Sequence, residues 1–316
     1  MSKRRIGRSD IHVQPFCFGG NVFGWTADEA MSHRLLDAFV DAGFDFIDTA
    51  DVYSIWAPGH SGGESESTIG RWLKKSGKRD RVVIATKVGM QMAPDKTGLK
   101  AAYIARAVED SLRRLQTDHI DLYQSHRDDQ DTPIAETLAA YESLIKAGKV
   151  RTIGASNYTA ARLREALDVS AKNNLPRYEC MQPEYNLVER KIFEGELQDL
   201  CVREQIGVIP FFSLAAGFLT GKYRSEADLS KSVRGPRMAG KYLKTNGLKV
   251  LDAMDRVAAS HKATCAQVAL AWLMARKGLT APIASATSPA QLAELLGAVK
   301  LSLSATEIAE LDETSG

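Results

Sequence analysis

The stretch that decides the fold is GFDFIDTADVY, residues 43–53. A glycine opens it, bulky apolar residues follow, and then come Asp48, Asp51 and Tyr53. Upstream, residues 31–42 place apolar side chains at helical spacing, and a glycine directly after a helix commonly caps it. Unpaired charge is costly to bury, so the polar groups need either partners or a chemical role. The stretch therefore predicts a helix, a glycine cap and a short buried strand that ends in reactive groups.

The same order of amphipathic helix, turn and short strand recurs along the chain. Stripes of period 3.6 that alternate with short β-rich runs predict βα units around a parallel sheet. About eight strands favour a (β/α)₈ barrel over an open sheet, and neither GxGxxG nor GxxxxGK[ST] occurs in the sequence. The predicted strands are PFCFGG (15–20), FDFID (44–48), RVVIATK (81–87), HIDLYQSH (119–126), VRTIGASN (150–157), ECMQPEYN (179–186), VIPFF (208–212) and LTAPIA (279–284).

Composition is typical of a globular protein, with 316 residues of which 44% are hydrophobic and 25% charged. The net charge of +2 argues against a nucleic-acid partner, and no apolar run is long enough to cross a membrane. The four cysteines lie far apart, which predicts reduced thiols in a cytoplasmic protein rather than disulfides or a metal site. We expect a single domain over residues 1–316. The oligomeric state cannot be predicted from these features.

Polar residues collect where the predicted strands end, at the rim where such barrels carry their catalytic groups. An ammonium from Lys87 would lower the pKa of the Tyr53 phenol from about 10, and a carboxylate from Asp48 would hold that ammonium in place. A neutral His126 would orient a substrate oxygen. Such a set can protonate a carbonyl oxygen as hydride reaches the carbon, and hydride requires a nicotinamide cofactor. The alternative for Asp48 and Lys87 is a purely structural ion pair.

The motifs GFDFIDTADVY, VVIATK, DLYQSH, IGASNY, QPEYN and GFLTGKY, in this order, resemble those of the aldo-keto reductases. The resemblance extends from IGRSDIHVQPFCFGG to SPAQLAELLGA, which is nearly the whole chain. It implies a barrel that uses NADP(H), with NAD(H) as the alternative, to interconvert an aldehyde, ketone or sugar with an alcohol. It further implies that Tyr53 is the proton donor, that Lys87 and Asp48 tune it, and that His126 positions the carbonyl.

The resemblance also implies a cofactor-binding set. Ser156, Asn157 and Gln182 would hold the nicotinamide carboxamide, and the ring of Phe211, where many relatives carry tyrosine, would stack on the nicotinamide. The full implied set is Gly20, Asn21, Asp48, Ser156, Asn157, Gln182, Phe211, Phe212, Ser213, Leu214, Gly217, Lys222, Arg234, Ser285, Thr287, Gln291, Glu294 and Leu295.

Two departures from the family pattern lie near the C-terminus. Thr287 stands where many NADP-preferring relatives carry arginine, and Leu295 replaces an asparagine that usually meets the adenine, whereas Glu294 is kept. These changes weaken the expected contacts with the 2′-phosphate and adenine but leave the nicotinamide contacts intact. We therefore expect a real but modest preference for NADPH over NADH.

Segment 221–247 is the one local charge anomaly, with seven basic residues against two acidic ones and hence a net charge of +5. It is either a solvated surface loop or a flexible basic arm over the cofactor phosphates, since long irregular loops are often functional. Lys222, Arg234 and Arg237 are the side chains through which such an arm would act.

Two other functions remain open from the residues alone. A lysine at a barrel rim can form a Schiff base, which would make Lys87 the nucleophile of a lyase. Asp48 argues against this function because it keeps the lysine protonated. A second alternative is a cofactor-binding sensor or regulatory subunit that does not turn over. Trp25 and Trp56 lie where a substrate pocket wall is expected, although loop packing would also explain them.

Overall fold

The computed structural model describes residues 2–231 and 239–316, and its core is a set of eight short parallel strands. An antiparallel hairpin of β1 (Arg4–Arg5) and β2 (His12–Val13) precedes them. The parallel strands are β3 (Cys17–Gly19), β4 (Phe46–Asp48), β5 (Val83–Val88), β6 (Ile120–Ser125), β7 (Val150–Ser156), β8 (Cys180–Gln182), β9 (Gly207–Val208) and β10 (Ile283–Ala284).

The strands follow one another in the order β10-β3-β4-β5-β6-β7-β8-β9, so each strand pairs with the next one along the chain. The sheet closes on itself between β9 and β10. There the Thr280 amide donates to the Val208 carbonyl at 2.8 Å, and the Ile283 amide donates to the Pro210 carbonyl at 3.0 Å. The predicted (β/α)₈ barrel is confirmed.

Helices surround the barrel and follow the predicted alternation. The buried face of the first helix consists of Ser32, Leu35, Leu36, Phe39 and Val40. Of the apolar stripe expected at Met31, Leu35, Phe39 and Ala42, Leu35 and Phe39 are buried, Met31 is half-buried and Ala42 is exposed. The helices are α1 (Glu29–Asp41), α2 (Glu64–Ser76), α3 (Ala101–Leu115), α4 (Ile134–Lys146), α5 (Ala160–Asn173), α6 (Glu196–Arg203), α7 (Gly240–Leu243), α8 (Gly247–His261), α9 (Cys265–Ala275), α10 (Pro289–Gly297) and α11 (Ala305–Ser315).

The N-terminal hairpin closes one end of the barrel. Its apolar residues Ile6, Ile11 and Val13 belong to the same buried cluster as Cys17 and Phe46, which lie at the first positions of β3 and β4. The hairpin was not predicted from the sequence. Because this end is filled with apolar side chains, polar chemistry is confined to the opposite end, where the strands terminate.

Segment 221–247 is more regular than the sequence suggested. It contains a 3₁₀ turn at Glu226–Lys231 and the short helix α7, while residues 232–238, including Arg234 and Arg237, lie outside the described residues.

Cys17, Cys180, Cys201 and Cys265 are buried free thiols, as expected. Within residues 2–231 and 239–316, no helix is long and apolar enough to cross a membrane, and no three metal-ligating side chains group together.

Candidate active site

The structure brings the four predicted catalytic side chains together at the carboxyl ends of the strands. Asp48 ends β4, Lys87 lies near the end of β5, and His126 directly follows β6. The Lys87 Nζ lies 2.6 Å from Asp48 Oδ2 and 3.3 Å from the Tyr53 hydroxyl. The Tyr53 and His126 rings have centroids 5.8 Å apart.

Lys87 is held as an ammonium. Its side chain is fully buried, and its Nζ donates to Asp48, to the Thr49 carbonyl at 2.8 Å and to the Tyr53 hydroxyl. Burial alone would lower the lysine pKa, but the Asp48 carboxylate and the Tyr53 hydroxyl outweigh it and raise the pKa above its ordinary value. A lysine in this state is a poor nucleophile.

The Tyr53 phenol stays protonated at neutral pH because burial raises its pKa above the ordinary value of about 10. The Lys87 charge acts in the opposite direction and Asp48 adds to the increase. The sequence expectation was right about the effect of Lys87 but wrong about the net direction, since burial was not visible from the residue pattern. A protonated phenol beside an ammonium suits proton donation to a substrate oxygen.

His126 is a neutral imidazole. Burial lowers its pKa well below the ordinary value of 6.5, and the charges of Lys87 and Arg127 lower it further. Its Nδ1 is buried and has no hydrogen-bond partner within the described part of the chain. A neutral imidazole can donate a hydrogen bond to a carbonyl oxygen without placing another charge in the site.

Two glutamine amides fix the second oxygen of Asp48. Gln124 Nε2 donates to Asp48 Oδ1 at 3.1 Å, and Gln182 Nε2 donates to the same oxygen at 2.9 Å and to Gln124 Oε1 at 3.1 Å. The sequence reasoning missed Gln124. The signal was present, since Gln124 lies two residues before His126 and alternate residues of a strand face the same side.

The residues expected to hold a nicotinamide carboxamide adjoin this network. Ser156 Oγ donates to the Gln182 carbonyl at 2.9 Å, while Asn157 Nδ2 donates to the His126 carbonyl at 2.9 Å and to Ser156 Oγ at 3.1 Å. Within the described residues, neither Asn157 Oδ1 nor Gln182 Oε1 accepts a hydrogen bond. These two oxygens are therefore suitable acceptors for an amide NH₂.

The segment after β9 is a tight, irregular turn. Phe211 is half-buried and meets Phe212 edge-on at a centroid distance of 5.2 Å. Ser213 Oγ donates to the Pro210 carbonyl at 3.1 Å, and Leu214 is half-buried. Gly217 has φ of 92°, where a side chain would be strained, and an added Cβ would lie 3.3 Å from Lys222 Nζ. The exposed Lys222 thus lies against this turn.

The residues expected at the adenine and 2′-phosphate form a second group. Ser285 Oγ donates to Asn21 Oδ1 at 2.6 Å, which joins the start and end of the barrel. Thr287 donates its amide and its hydroxyl to Gln291 Oε1 at 2.9 and 3.0 Å. Leu295 is only 4% exposed and packs in the core, so its side chain adds little to any surface contact there.

Gly20 and Glu294 complete the implied set. An added Cβ on Gly20 would lie 3.0 Å from Ser65 Oγ and 3.1 Å from the Asp48 carbonyl, so a side chain there would crowd the strand ends. Glu294 is half-buried on α10, and its backbone carbonyl accepts from Gln267 Nε2 at 2.9 Å. The implied cofactor residues that the structure describes therefore lie at the strand ends, in the turn after β9, and before and along α10.

Much of the charge on segment 221–247 is neutralised within the protein. Arg224 pairs with Asp255 at 2.8 Å, Lys231 with Asp228 at 2.6 Å, and Lys241 with Glu189 at 2.6 Å. Asp228 is already counted in the net charge of +5, whereas Asp255 and Glu189 lie outside the segment and neutralise two further cations. Arg224, Lys231 and Lys241 are therefore less available to a phosphate.

An aromatic wall leads outward from the four-residue cluster. Trp56 contacts Tyr53 edge-on at a centroid distance of 5.4 Å, and Trp25 contacts Trp56 edge-on at 5.7 Å. Trp56 remains 44% exposed. An exposed indole beside a half-buried phenol offers an apolar surface next to the reactive hydroxyl.

Comparison with known proteins adds an independent finding. The sequence profile of the Aldo/keto reductase family matches residues 15–315. The uncharacterized oxidoreductase YrpG of Bacillus subtilis (strain 168) is 35% identical over 306 residues, which cover 94% of this chain and 91% of that protein.

Two further relatives differ in what their names describe. The aldo-keto reductase yakc [NADP(+)] of Schizosaccharomyces pombe is 31% identical over 98% of this chain and 90% of its own length. A probable voltage-gated potassium channel subunit beta of Oryza sativa subsp. japonica is 31% identical over 95% of this chain and 91% of its own length. The likeness to each relative therefore spans nearly the whole barrel.

Proposed function

The chain belongs to the aldo-keto reductase family, and we propose that it is an NADP(H)-dependent oxidoreductase that interconverts an aldehyde or ketone, sugars among them, with an alcohol. The observation that carries this proposal is the contact of one buried ammonium, that of Lys87, with both Asp48 and the Tyr53 hydroxyl. The pairing gives a phenol with an adjacent charge that stabilises its conjugate base.

In the reduction, Tyr53 donates its hydroxyl proton to the carbonyl oxygen, and the bound cofactor would supply the hydride that the carbonyl carbon accepts. Lys87 stabilises the phenolate that remains, and Asp48 keeps Lys87 protonated. His126 donates a hydrogen bond that orients the carbonyl oxygen beside the phenol. In alcohol oxidation the same groups act in reverse, with the Tyr53 phenolate accepting the alcohol proton.

The described residues fit a nicotinamide cofactor. The free side-chain oxygens of Asn157 and Gln182 suit the carboxamide, and Phe211 offers a half-buried ring beside them along the rim. We propose that the backbone of 212–217 with Lys222, and the groups around Ser285, Thr287 and Gln291, hold the phosphates and adenosine. The four buried thiols support the reducing, cytoplasmic compartment expected from the sequence.

The aromatic wall of Trp25 and Trp56 supports a substrate with a flat or CH-rich face next to its carbonyl. Replacing Trp56 with alanine should raise KM for such substrates more than it lowers kcat, because the indole contacts the substrate equally before and during reaction. Acetaldehyde, which is too small to reach the wall, is the matched control and should show little change in KM.

The structure and the relatives give different support to the two alternative functions, a Schiff-base lyase and a regulatory subunit. A Schiff-base lyase is disfavoured, since Lys87 Nζ already donates to three oxygens and its pKa is raised. A regulatory role has some support from the rice relative, whose name describes a channel subunit. A cofactor-binding sensor would oxidise its bound NADPH once without continuous turnover.

Assays with 4-deuterated NADPH test the proposal. A panel of aldehydes, ketones and sugars should include compounds that consume NADPH over many turnovers and yield an alcohol labelled at the former carbonyl carbon. Oxidation limited to one equivalent of bound cofactor would favour the sensor. Trapping of a substrate on Lys87 by borohydride would favour the lyase, and a panel with no NADPH consumption and no trapping would contradict both catalytic proposals.

A further inference from the structure

Asp51 is a buried carboxyl group that the proposed chemistry does not use. It lies between Asp48 and Tyr53 in the loop after β4 and is 1% exposed. Both of its carboxyl oxygens are enclosed, and neither has a hydrogen-bond partner within the described residues. Its backbone amide donates to the Lys87 carbonyl at 3.2 Å, so the position of the residue is fixed by the neighbouring strand. An unpartnered carboxylate is costly to bury, which favours the uncharged acid.

Arg114, a cation that acts on Asp51, forms its ion pair with a different carboxylate. Arg114 on α3 donates from Nε to Glu66 Oε2 at 2.7 Å, and Glu66 Oε1 accepts from Thr86 Oγ1 at 2.6 Å. Glu66 thus has its own counter-ion, whereas Asp51 forms no ion pair within residues 2–231 and 239–316. Several titratable and charged groups act on Asp51 or are affected by its charge. They are Glu66 from α2, Tyr103 and Arg114 from α3, Lys87 from β5, Tyr123 from β6, Tyr141 from α4, and Tyr53 from the same loop.

The effects of these groups on the pKa of Asp51 agree with its burial without a hydrogen-bond partner. Burial raises the pKa of Asp51 well above its ordinary value, and the Glu66 charge raises it further. The charges of Arg114 and Lys87 act in the opposite direction without reversing the shift. The nearby backbone amide of Val52 also lowers the pKa, although it makes no hydrogen bond to the carboxyl oxygens. A negative charge on Asp51 would in turn raise the pKa of the Tyr53 phenol.

We propose that Asp51 is a positioning residue for Tyr53 that acts as an uncharged carboxylic acid. While Asp51 is uncharged, the Lys87 charge stabilises the Tyr53 phenolate, and Asp48 at the end of β4 is the nearby anion that opposes this stabilisation. Once ionised, Asp51 places a second anion near the phenol and opposes proton loss. Alcohol oxidation, which needs the phenolate, is weakened, whereas carbonyl reduction, which needs the phenol, is not. The role of Tyr53 rests on the proposed function, but the protonation of Asp51 does not.

The protonation state can be tested without any activity. The folded protein holds a proton on Asp51 that the unfolded chain releases above about pH 4, so raising the pH favours unfolding. The ratio of the unfolding constants of wild type and Asp51→Asn, from urea titrations at successive pH values, should rise about tenfold per pH unit until Asp51 ionises in the folded state. The exposed Asp168→Asn variant is the control and should give a nearly constant ratio.

A constant ratio for Asp51→Asn as well would overturn the proposal, because it would mean that Asp51 is already ionised in the folded protein. Should the variant fail to fold, ¹³C NMR titration of aspartate carboxyl carbons in the wild type gives the same information. One aspartate that stays protonated well above pH 4 supports the proposal, and titration of every aspartate at or below its ordinary pKa of about 3.9 refutes it.

The positioning role has its own readout. Asp51→Asn should reduce a carbonyl substrate at pH 7 within about twofold of wild type, since the neutral amide mimics the neutral acid. Its pH profile for alcohol oxidation should have a midpoint at lower pH than that of wild type. Coincident profiles, or a loss of reduction of tenfold or more at pH 7, would refute the role. If neither protein shows activity, the proposed function fails while the unfolding test still decides the protonation.

Discussion

The two ends of the proposed cofactor site differ in how the protein builds them. At the nicotinamide end, Lys87 and Asp48 are buried and each is held by several hydrogen bonds of defined length. At the 2′-phosphate end, Thr287 and Gln291 are uncharged, lie near the surface and bond mainly to each other. This difference implies that mutations can change the reaction chemistry and the cofactor selectivity independently of each other. The first depends on a buried charge network and the second on exposed polar groups.

The largest effect should follow from breaking the buried network. Lys87→Met removes the charge that stabilises the Tyr53 phenolate and should lower kcat/KM for reduction by about 10²–10⁴, the usual contribution of a positioned acid. The double variant with Tyr53→Phe should be scarcely worse than either single variant, because groups that act as a unit are not additive. Losses that multiply in the double variant would show that Lys87 acts independently of Tyr53.

The next effect concerns the other end of the site. Thr287→Arg supplies the positive charge that the segment lacks, and a hydrogen bond to a charged group contributes about 1.5–3 kcal/mol. The ratio of kcat/KM for NADPH over NADH should rise by roughly tenfold to a hundredfold. Ala290→Arg, on the exposed start of α10, is the matched control for added charge. Equal gains from both variants would show a general electrostatic effect rather than a contact with the phosphate.

A smaller effect should appear when salt is varied in the wild type. We expect a modest preference for NADPH that weakens at high ionic strength, because exposed cations such as Lys222 are screened. Among the five described basic residues of segment 221–247, three (Arg224, Lys231 and Lys241) are engaged in ion pairs, so we expect the change to be only a few-fold. Measurement of kcat/KM for both cofactors at low and high salt checks this. A clear preference for NADH would mean that the missing arginine decides selectivity.

The smallest effect should be that of pH on carbonyl reduction. The pKa of His126 is held well below 6.5 and that of Tyr53 above 10, so neither group changes its charge between pH 6.5 and pH 10. The value of kcat/KM for reduction should therefore stay nearly flat from about pH 6.5 to 9. A midpoint near neutral pH in this profile that is lost in His126→Asn would show that the imidazole titrates normally.

The barrel and its catalytic rim were predictable because both follow from short-range patterns. Each strand that contributes to the cluster is preceded by an amphipathic helix. Asp48 is the last residue of β4, Lys87 is the penultimate residue of β5, and His126 directly follows β6. The sequence pattern could place these residues at one rim, and the structure brings them within contact distance. The roles assigned to them remain proposals.

Other features depend on three-dimensional surroundings that no local pattern encodes. The net pKa of Tyr53 depends on how deeply the phenol is buried, and the lack of a partner for Asp51 depends on Arg114 being taken by Glu66. The neutralisation of segment 221–247 likewise depends on carboxylates such as Asp255 from distant parts of the chain. The hairpin of β1 and β2 has only two residues in each strand, too few to show a period.

The most direct test of the central claim is the rate of carbonyl reduction by Tyr53→Phe, measured together with its dissociation constant for NADPH. We predict that kcat/KM falls by about 10²–10⁴ because the proton donor is lost, while the dissociation constant changes by less than about twofold because the cofactor-binding residues are intact. Turnover close to that of wild type would contradict the account, since another group would then have to supply the proton.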